Sequence, residues 1–233
     1  MWTNIKNICM ELGQVLNINI IHLDFEIAAH NAVKKTFTGV TVKGCRFHFG
    51  QALWQKIQSN TYLRRSYNEN QNETGQWLKM FIGLPFLPVQ EVAEAFVDLM
   101  SICPPQDACI NFGDYILDNY IEGQFSPEIW IHPIINEITT RTTNGAEKFH
   151  RGFNSEFYSP NPSVFKVIDV LRNIHIDTLA LMNQYLKGIP NIVRTIEKQK
   201  QEYLFNCWEA FLKDGDRLTF LKNVGNRFQP KNL

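Results

Sequence analysis

Three groups of residues have the types and spacing to do chemistry. Asp24 closes the run Ile18-Asn19-Ile20-Ile21-His22-Leu23, where a strand would hand over to a helix. Ligand and metal sites of α/β sheets gather at the carboxyl ends of strands, and an aspartate at such a place is equally an ordinary helix N-cap. Cys45 and His48 form a Cys-x-x-His pair at the end of a second β-prone run. Half a zinc site has this spacing, but Cys103 and Cys109, separated by five residues with two prolines among them, make a poor second half. The competing reading is a packed cysteine beside a core or site-lining histidine. The densest polar cluster is Asn144, Glu147, His150, Arg151 and Asn154. The last four are spaced i, i+3, i+4 and i+7 and share one helix face, where a Glu and a His could ligate a metal or handle phosphate. Asn at an N-cap with Glu at N3 is also a capping box.

These residues need elements to position them. Trp2, Ile5, Ile8, Cys9 and Leu12 recur at a helical period, with Gly13 as the stop. The β-branched run ending at Leu23 is apolar at neighbouring positions, which suits a strand buried on both faces. A helical pattern follows from Glu26 to Lys35, then a second strand from Val40 to Phe47. Together they have the size of a parallel βαβ crossover. Beyond Phe49 helical patterns dominate: Gln51 to Gln58, Val89 to Ile102 after Pro88, and Ala108 to Ile121. Asn68 to Thr74 reads as a polar loop and Glu128 to Ile135 as a short β-prone stretch. Further helices are expected at about Ala146 to Phe157, Pro162 to Leu186 and Ile192 to Leu212, the last two separated by Gly188-Ile189-Pro190. Trp54, Trp77, Phe81, Phe86, Tyr115 and Tyr203 fall mostly at core spacings. They are expected to be buried rather than to stack on bases.

With 233 residues, 44% hydrophobic and 20% charged, the chain is expected to be globular rather than disordered. No apolar run approaches the roughly 20 residues that span a bilayer, and the N-terminus does not read as a secretory signal. Five cysteines then suggest free thiols in a reducing, intracellular setting. The net charge of zero hides a segregation. Residues 1–79 carry nine bases and five acids, residues 80–140 no base and nine acids, and residues 141–233 fourteen bases and nine acids. Such a layout suggests an inserted segment or domain boundaries at the ends of the acidic block. The C-terminal bases, among them Lys198, Lys213, Arg217 and Lys222, alternate with acids and read as a solvated face with at most weak nucleic-acid contact.

Three segments in order, HLDFEIAAHNAV, VKGCRFHFGQALWQKIQ and TTNGAEKFHRGFNSEF, resemble the Mutator-like element (MULE) transposase domain over roughly Trp2 to Tyr158. The middle segment is the most specific: Cys45, His48, Phe49, Gln51 and Trp54 match the family's Cys-x-x-His, aromatic and Gln-x-x-Trp pattern. The resemblance implies a ribonuclease-H-like core whose three catalytic carboxylates bind two divalent ions, with an all-helical insertion between the second and third. Asp24 then matches the second carboxylate and Glu147 the third, both as catalytic and metal-binding groups. Cys45, His48, Asn144, His150 and Arg151 would line the site or contact DNA.

The family's first aspartate has no counterpart among the 23 residues before Asp24, so the resemblance implies an N-terminally truncated and catalytically incomplete domain. The expected fold is α/β with predominantly helical content. It comprises a partial ribonuclease-H-like core with two parallel strands (1–60), an acidic helical insertion (61–140), a return to the core (141–160) and C-terminal helices (161–233). The implied function is that of a transposase, DNA cleavage and strand transfer, lost in this chain. A domesticated non-catalytic module that binds DNA or protein is the alternative, and an unrelated helical scaffold with Asp24 and Glu147 as caps is a third. The implied cofactor is Mg²⁺ or Mn²⁺ if active, with no tight binding expected, since few carboxylates are offered. DNA is the implied partner and the nucleus the implied location. No membrane association is expected. A partner or second copy at the unpaired edge of the Asp24 strand is a further expectation.

Overall fold

The apolar period near the N-terminus forms α1 (Trp2–Glu11), and the chain turns at Gly13 with φ of 68°. Residues 2–69, 71–132, 149, 152–159, 161–188 and 195–229 are described by this computed structural model. The described chain is mostly helical, with a single two-stranded sheet. β1 (Ile20–Leu23) is followed by α2 (Ile27–Thr36) and β2 (Thr41–Gly44), and the strands pair in parallel from Ile20 opposite Thr41 to Leu23 opposite Gly44. A small apolar cluster of Val33, Phe37 and Val42, edged by Trp2, Ile21 and Leu23, holds α2 and the sheet together.

The second strand is shorter than its β-prone sequence. It ends at Gly44, Cys45 takes the N-cap position, and α3 (Arg46–Gln58) begins where strand was expected to continue. Phe49, Leu53 and Ile57, spaced by four, are all buried, so the helical period of this segment outweighs its aromatic β-propensity. The Asn68 to Thr74 loop contracts to the turn between α4 (Thr61–Asn68) and α5 (Glu73–Met80). Both are eight-residue helices. Each starts on an asparagine cap: Asn60 Oδ1 accepts from the amides of Tyr62 and Leu63, and Asn72 Oδ1 from that of Gly75.

A 3₁₀ segment (Phe81–Phe86) leads to the two acidic helices, α6 (Val89–Ser101) and α7 (Asp107–Ile116), and a π-helical turn (Leu117–Ile121). Of the β-prone stretch Glu128 to Ile135, the first three residues are helical, Ile131 is extended without pairing in the described sheet, and residues 133–135 lie outside the described residues. Pro127 starts a single helical turn, α8 (Pro127–Trp130), and the Trp130 indole donates to the carbonyls of Tyr120 and Phe125, both at 3.0 Å. Later helices run Val164–Leu186, Thr195–Asp214 and Arg217–Arg227.

Two compact units can be distinguished, Met1–Thr143 with Glu202–Leu233, and Asn144–Gln201. The first is built around one large core, to which Leu204, Phe211, Phe220 and Leu221 contribute from the C-terminal helices. Arg217 is not part of a solvated face. Its Nε donates to Glu91 at 2.7 Å and its Nη1 to Asp98 at 3.3 Å, which joins the acidic helix α6 to the basic C-terminus. Trp77, Phe81 and Phe86 are buried as expected, while Trp54 and Tyr115 are half-buried and Tyr203 is exposed.

The helix Arg217–Arg227 approaches α5 closely enough that backbone lies against backbone. A methyl on Gly225 would overlap the carbonyl of Lys79 and come within 3.2 Å of the Met80 Cα. Helix propensity alone favours Gly225→Ala by about 1 kcal/mol. The overlap reverses the sign, and urea unfolding should register a loss of about 2 kcal/mol or more.

Candidate functional site at the carboxyl ends of the strands

Asp24 is the first residue beyond β1. It does not cap α2: Glu26 holds the N-cap position, without a side-chain hydrogen bond to the helix. The Asp24 carboxylate instead meets His48, Oδ1 to Nδ1 at 2.8 Å, with the carboxylate more than half exposed and the imidazole largely covered. His48 lies within the first turn of α3, whose N-cap Cys45 is completely buried. The Cys-x-x-His spacing therefore spans a helix start, placing Cys45 in the core and His48 on Asp24. Behind them His30, on α2, donates from Nε2 to the main-chain oxygen of Asp24 at 2.7 Å. A carbonyl only accepts, so Nε2 carries the proton.

Phe25 fixes the direction of this corner. Its ring lies edge-on to Phe125 and Tyr120, with centroids at 5.1 and 5.6 Å. Gly44 makes room for it, since a Cβ there would stand 2.8 Å from the ring. With Phe25 turned into the core, Asp24 is left at the surface.

The chain returns to the same corner after α8. Lys43 donates to the carbonyls of Glu128 at 2.7 Å and Ile131 at 3.2 Å. His132 is buried, donates from Nε2 to the carbonyl of Gly44 at 2.8 Å, and stacks on His22 with ring centroids 5.6 Å apart. Four of the six histidines thus stand around the two strand ends: His22, His30, His48 and His132. The sequence reading took up only His48 of these. His132 left no periodic or motif signal, because its partners, Gly44 and His22, are distant in sequence.

Burial, more than the neighbouring positive charges, lowers the ionisation of His132 to about 3, and burial with Lys43 nearby also lowers that of His22. His22 Nδ1 is covered without a hydrogen-bond partner among the described residues. Both rings are accordingly neutral in the fold.

Asn144, Glu147, His150 and Arg151 lie outside the described residues. Asn154 is exposed, within a helical stretch over residues 152–155. Among the described residues, no group of three or more His, Cys, Asp and Glu side chains could hold a metal ion. A two-metal centre is therefore not made by the described side chains alone, and no step through a metal follows from them. No described helix is long and apolar enough to cross a membrane. Comparison with protein-family models, with curated proteins and with solved structures gave no match.

The neutral histidine pair gives the fold a pH dependence of defined sign. An unfolded imidazole takes up a proton near pH 6.5, whereas His132 in the fold resists until about 3. The stabilisation is complete above about 6.5 and drains as pH falls through that window, by up to about 1.4 kcal/mol per pH unit. Thermal melts from pH 7 to 4.5 should show a steeper loss for the native chain than for His132→Gln, which keeps a donor but cannot titrate.

Proposed function

We propose that this chain derives from a transposase of the MULE type. Its sheet and α3 would be part of a ribonuclease-H-like core, with Asp24 and Glu147 the second and third carboxylates of a DNA-cleaving centre. The observation that carries this reading is the 2.8 Å contact between Asp24 and His48 at the ends of two parallel, in-register strands. These residues come from two of the three segments on which the resemblance rests, and a side-chain meeting of this kind is not required by a helical scaffold with Asp24 as a cap.

In this reading the centre works on DNA in the nucleus, and Mg²⁺ or Mn²⁺ would supply Lewis-acid chemistry on a phosphodiester. The chain's own part is to hold Asp24 at the surface: Phe25 anchors the next residue, His30 holds the main chain, and His48 orients the carboxylate. In this reading two of the centre's three acids lie in these 233 residues, and these residues by themselves are expected not to cleave DNA.

One observation favours the second reading, a non-catalytic module that binds DNA or protein. The amides of Thr41 and Cys45 donate to Asn19 and Leu23, so alternate residues of β1 point their main-chain groups at β2. Those of Ile20 and His22 then face the opposite edge. Ile20 is itself exposed, and such an edge accepts a partner strand.

The purified chain, incubated with supercoiled and linear DNA in Mg²⁺ or Mn²⁺, should not nick either. It should bind DNA, with an affinity that falls steeply between 50 and 200 mM salt. Metal-dependent nicking abolished by Glu147→Ala would overturn the inactive state while supporting the lineage. Absence of any DNA binding would overturn the transposase reading in favour of a protein-binding module.

A further inference from the structure

A cleft of about 830 Å³ opens in the first compact unit, and none of its lining residues belongs to the corner around Asp24. One wall is a single face of α5, where Glu73, Gln76, Trp77 and Met80 follow one another at intervals of three, one and three residues. A second wall is Leu218 and Lys222, one turn apart on the helix Arg217–Arg227. The turn between α6 and α7, from Ile102 to Gln106, is a third. Contact of the Gly225 backbone with Lys79 and Met80 sets the spacing of the first two walls. The cleft is therefore built into the packing of the unit, and its volume is that of a small-molecule site.

The lining is chemically mixed. Trp77 donates its indole N–H to the carbonyl of Leu99 at 2.8 Å, so it offers the cleft only ring, beside Met80 and Leu218. Thr74, itself buried, and Tyr62 bring hydroxyls 3.1 Å apart. Two hydroxyls carry two protons and their mutual hydrogen bond uses one. The other has no acceptor among the described residues. The charges are one of each sign, Glu73 on α5 and Lys222 on the C-terminal helix. No ion pair joins them, and neither has an ion-pair partner among the described residues. A wholly apolar guest would leave both charges and the unused hydroxyl proton facing it unpaired, and a simple anion would meet Glu73. A molecule with both an ammonium and a carboxylate group answers both walls.

We propose that this cleft binds a zwitterion of the amino-acid type, its ammonium group at Glu73, its carboxylate at Lys222 and its carbon body over Trp77, Met80 and Leu218. The unused hydroxyl proton of the Tyr62–Thr74 pair goes to an oxygen of the ligand. A free amino acid and a short peptide share this chemistry. The site stands independently of the transposase reading.

The full chain, mixed with pooled free amino acids or with pooled tripeptides and followed by saturation-transfer NMR, should bind members of at least one pool with a Kd of about 1 mM or tighter. Binding from the amino-acid pool identifies a free amino acid as the source of the chemistry, and binding from the tripeptides alone identifies a peptide. Blocking either end of the bound molecule, by acetylation or amidation, should weaken it about tenfold or more. Lys222→Gln and Glu73→Gln should each cost about the same factor, and because both side chains are exposed, the thermal melt should stay near that of the native chain. The exchange Glu73→Lys with Lys222→Glu should bind more tightly than either of its single changes, since a zwitterion can enter end for end. A loss caused by damage to the fold would not be regained in this way. No binding from either pool at about 10 mM, binding indifferent to both Lys222→Gln and Glu73→Gln, or equal binding of the end-blocked molecule would each overturn the proposal.

Discussion

Gly44 has no side chain, and the ring of Phe25 occupies the room this leaves beneath the strand end. Much of the first compact unit depends on that exchange. Through Phe25 the small sheet reaches the aromatic cluster of Phe49, Tyr120, Phe125 and Trp130, and so becomes continuous with the large helical core. A two-stranded sheet is a weak structure by itself. Here it is held from one side by α2 and the Val33–Phe37–Val42 cluster, and at its carboxyl end by aromatic packing. The position of Asp24 is a by-product: with its neighbour pulled inward, its carboxylate is turned outward and reaches His48.

Charge segregation along the chain has a structural outcome that composition only hinted at. The acidic block does not stand apart. Its helix α6 receives Arg217 from the C-terminal helix, and the same helix approaches α5 at Gly225 and the 3₁₀ segment at Gly83. Ion pairs with this exposure contribute little each. The apolar contacts of Phe220, Leu221 and Val224 do most of the holding, and the charges set which face turns inward.

The histidines are unequal in function. His30 and His132 each give a proton to a main-chain oxygen and lock a corner of backbone, while among the described histidines His48 alone touches a carboxylate. The backbone behind Asp24 is therefore held by imidazole-to-carbonyl hydrogen bonds.

Several elements were legible in the amino-acid order because their signal is local. Apolar residues three and four apart gave α1, α2, α6 and the long helix from Val164, and a β-branched run gave β1. Cys45 and His48 could be singled out by spacing, and Asp24 by its place after a strand. Tertiary structure decided what those residues do. Asp24 could have capped a helix or met a partner, and the choice turned on where α3 begins, which depends on the burial of Phe49, Leu53 and Ile57 in a core drawn from the whole unit. Likewise Arg217 read as a solvated base until a helix more than a hundred residues earlier supplied its acids, and nothing local marked His132 or the Gly225 approach. Propensity and periodicity act over a few residues of chain, whereas hydrogen bonds and close packing join whatever the fold makes adjacent.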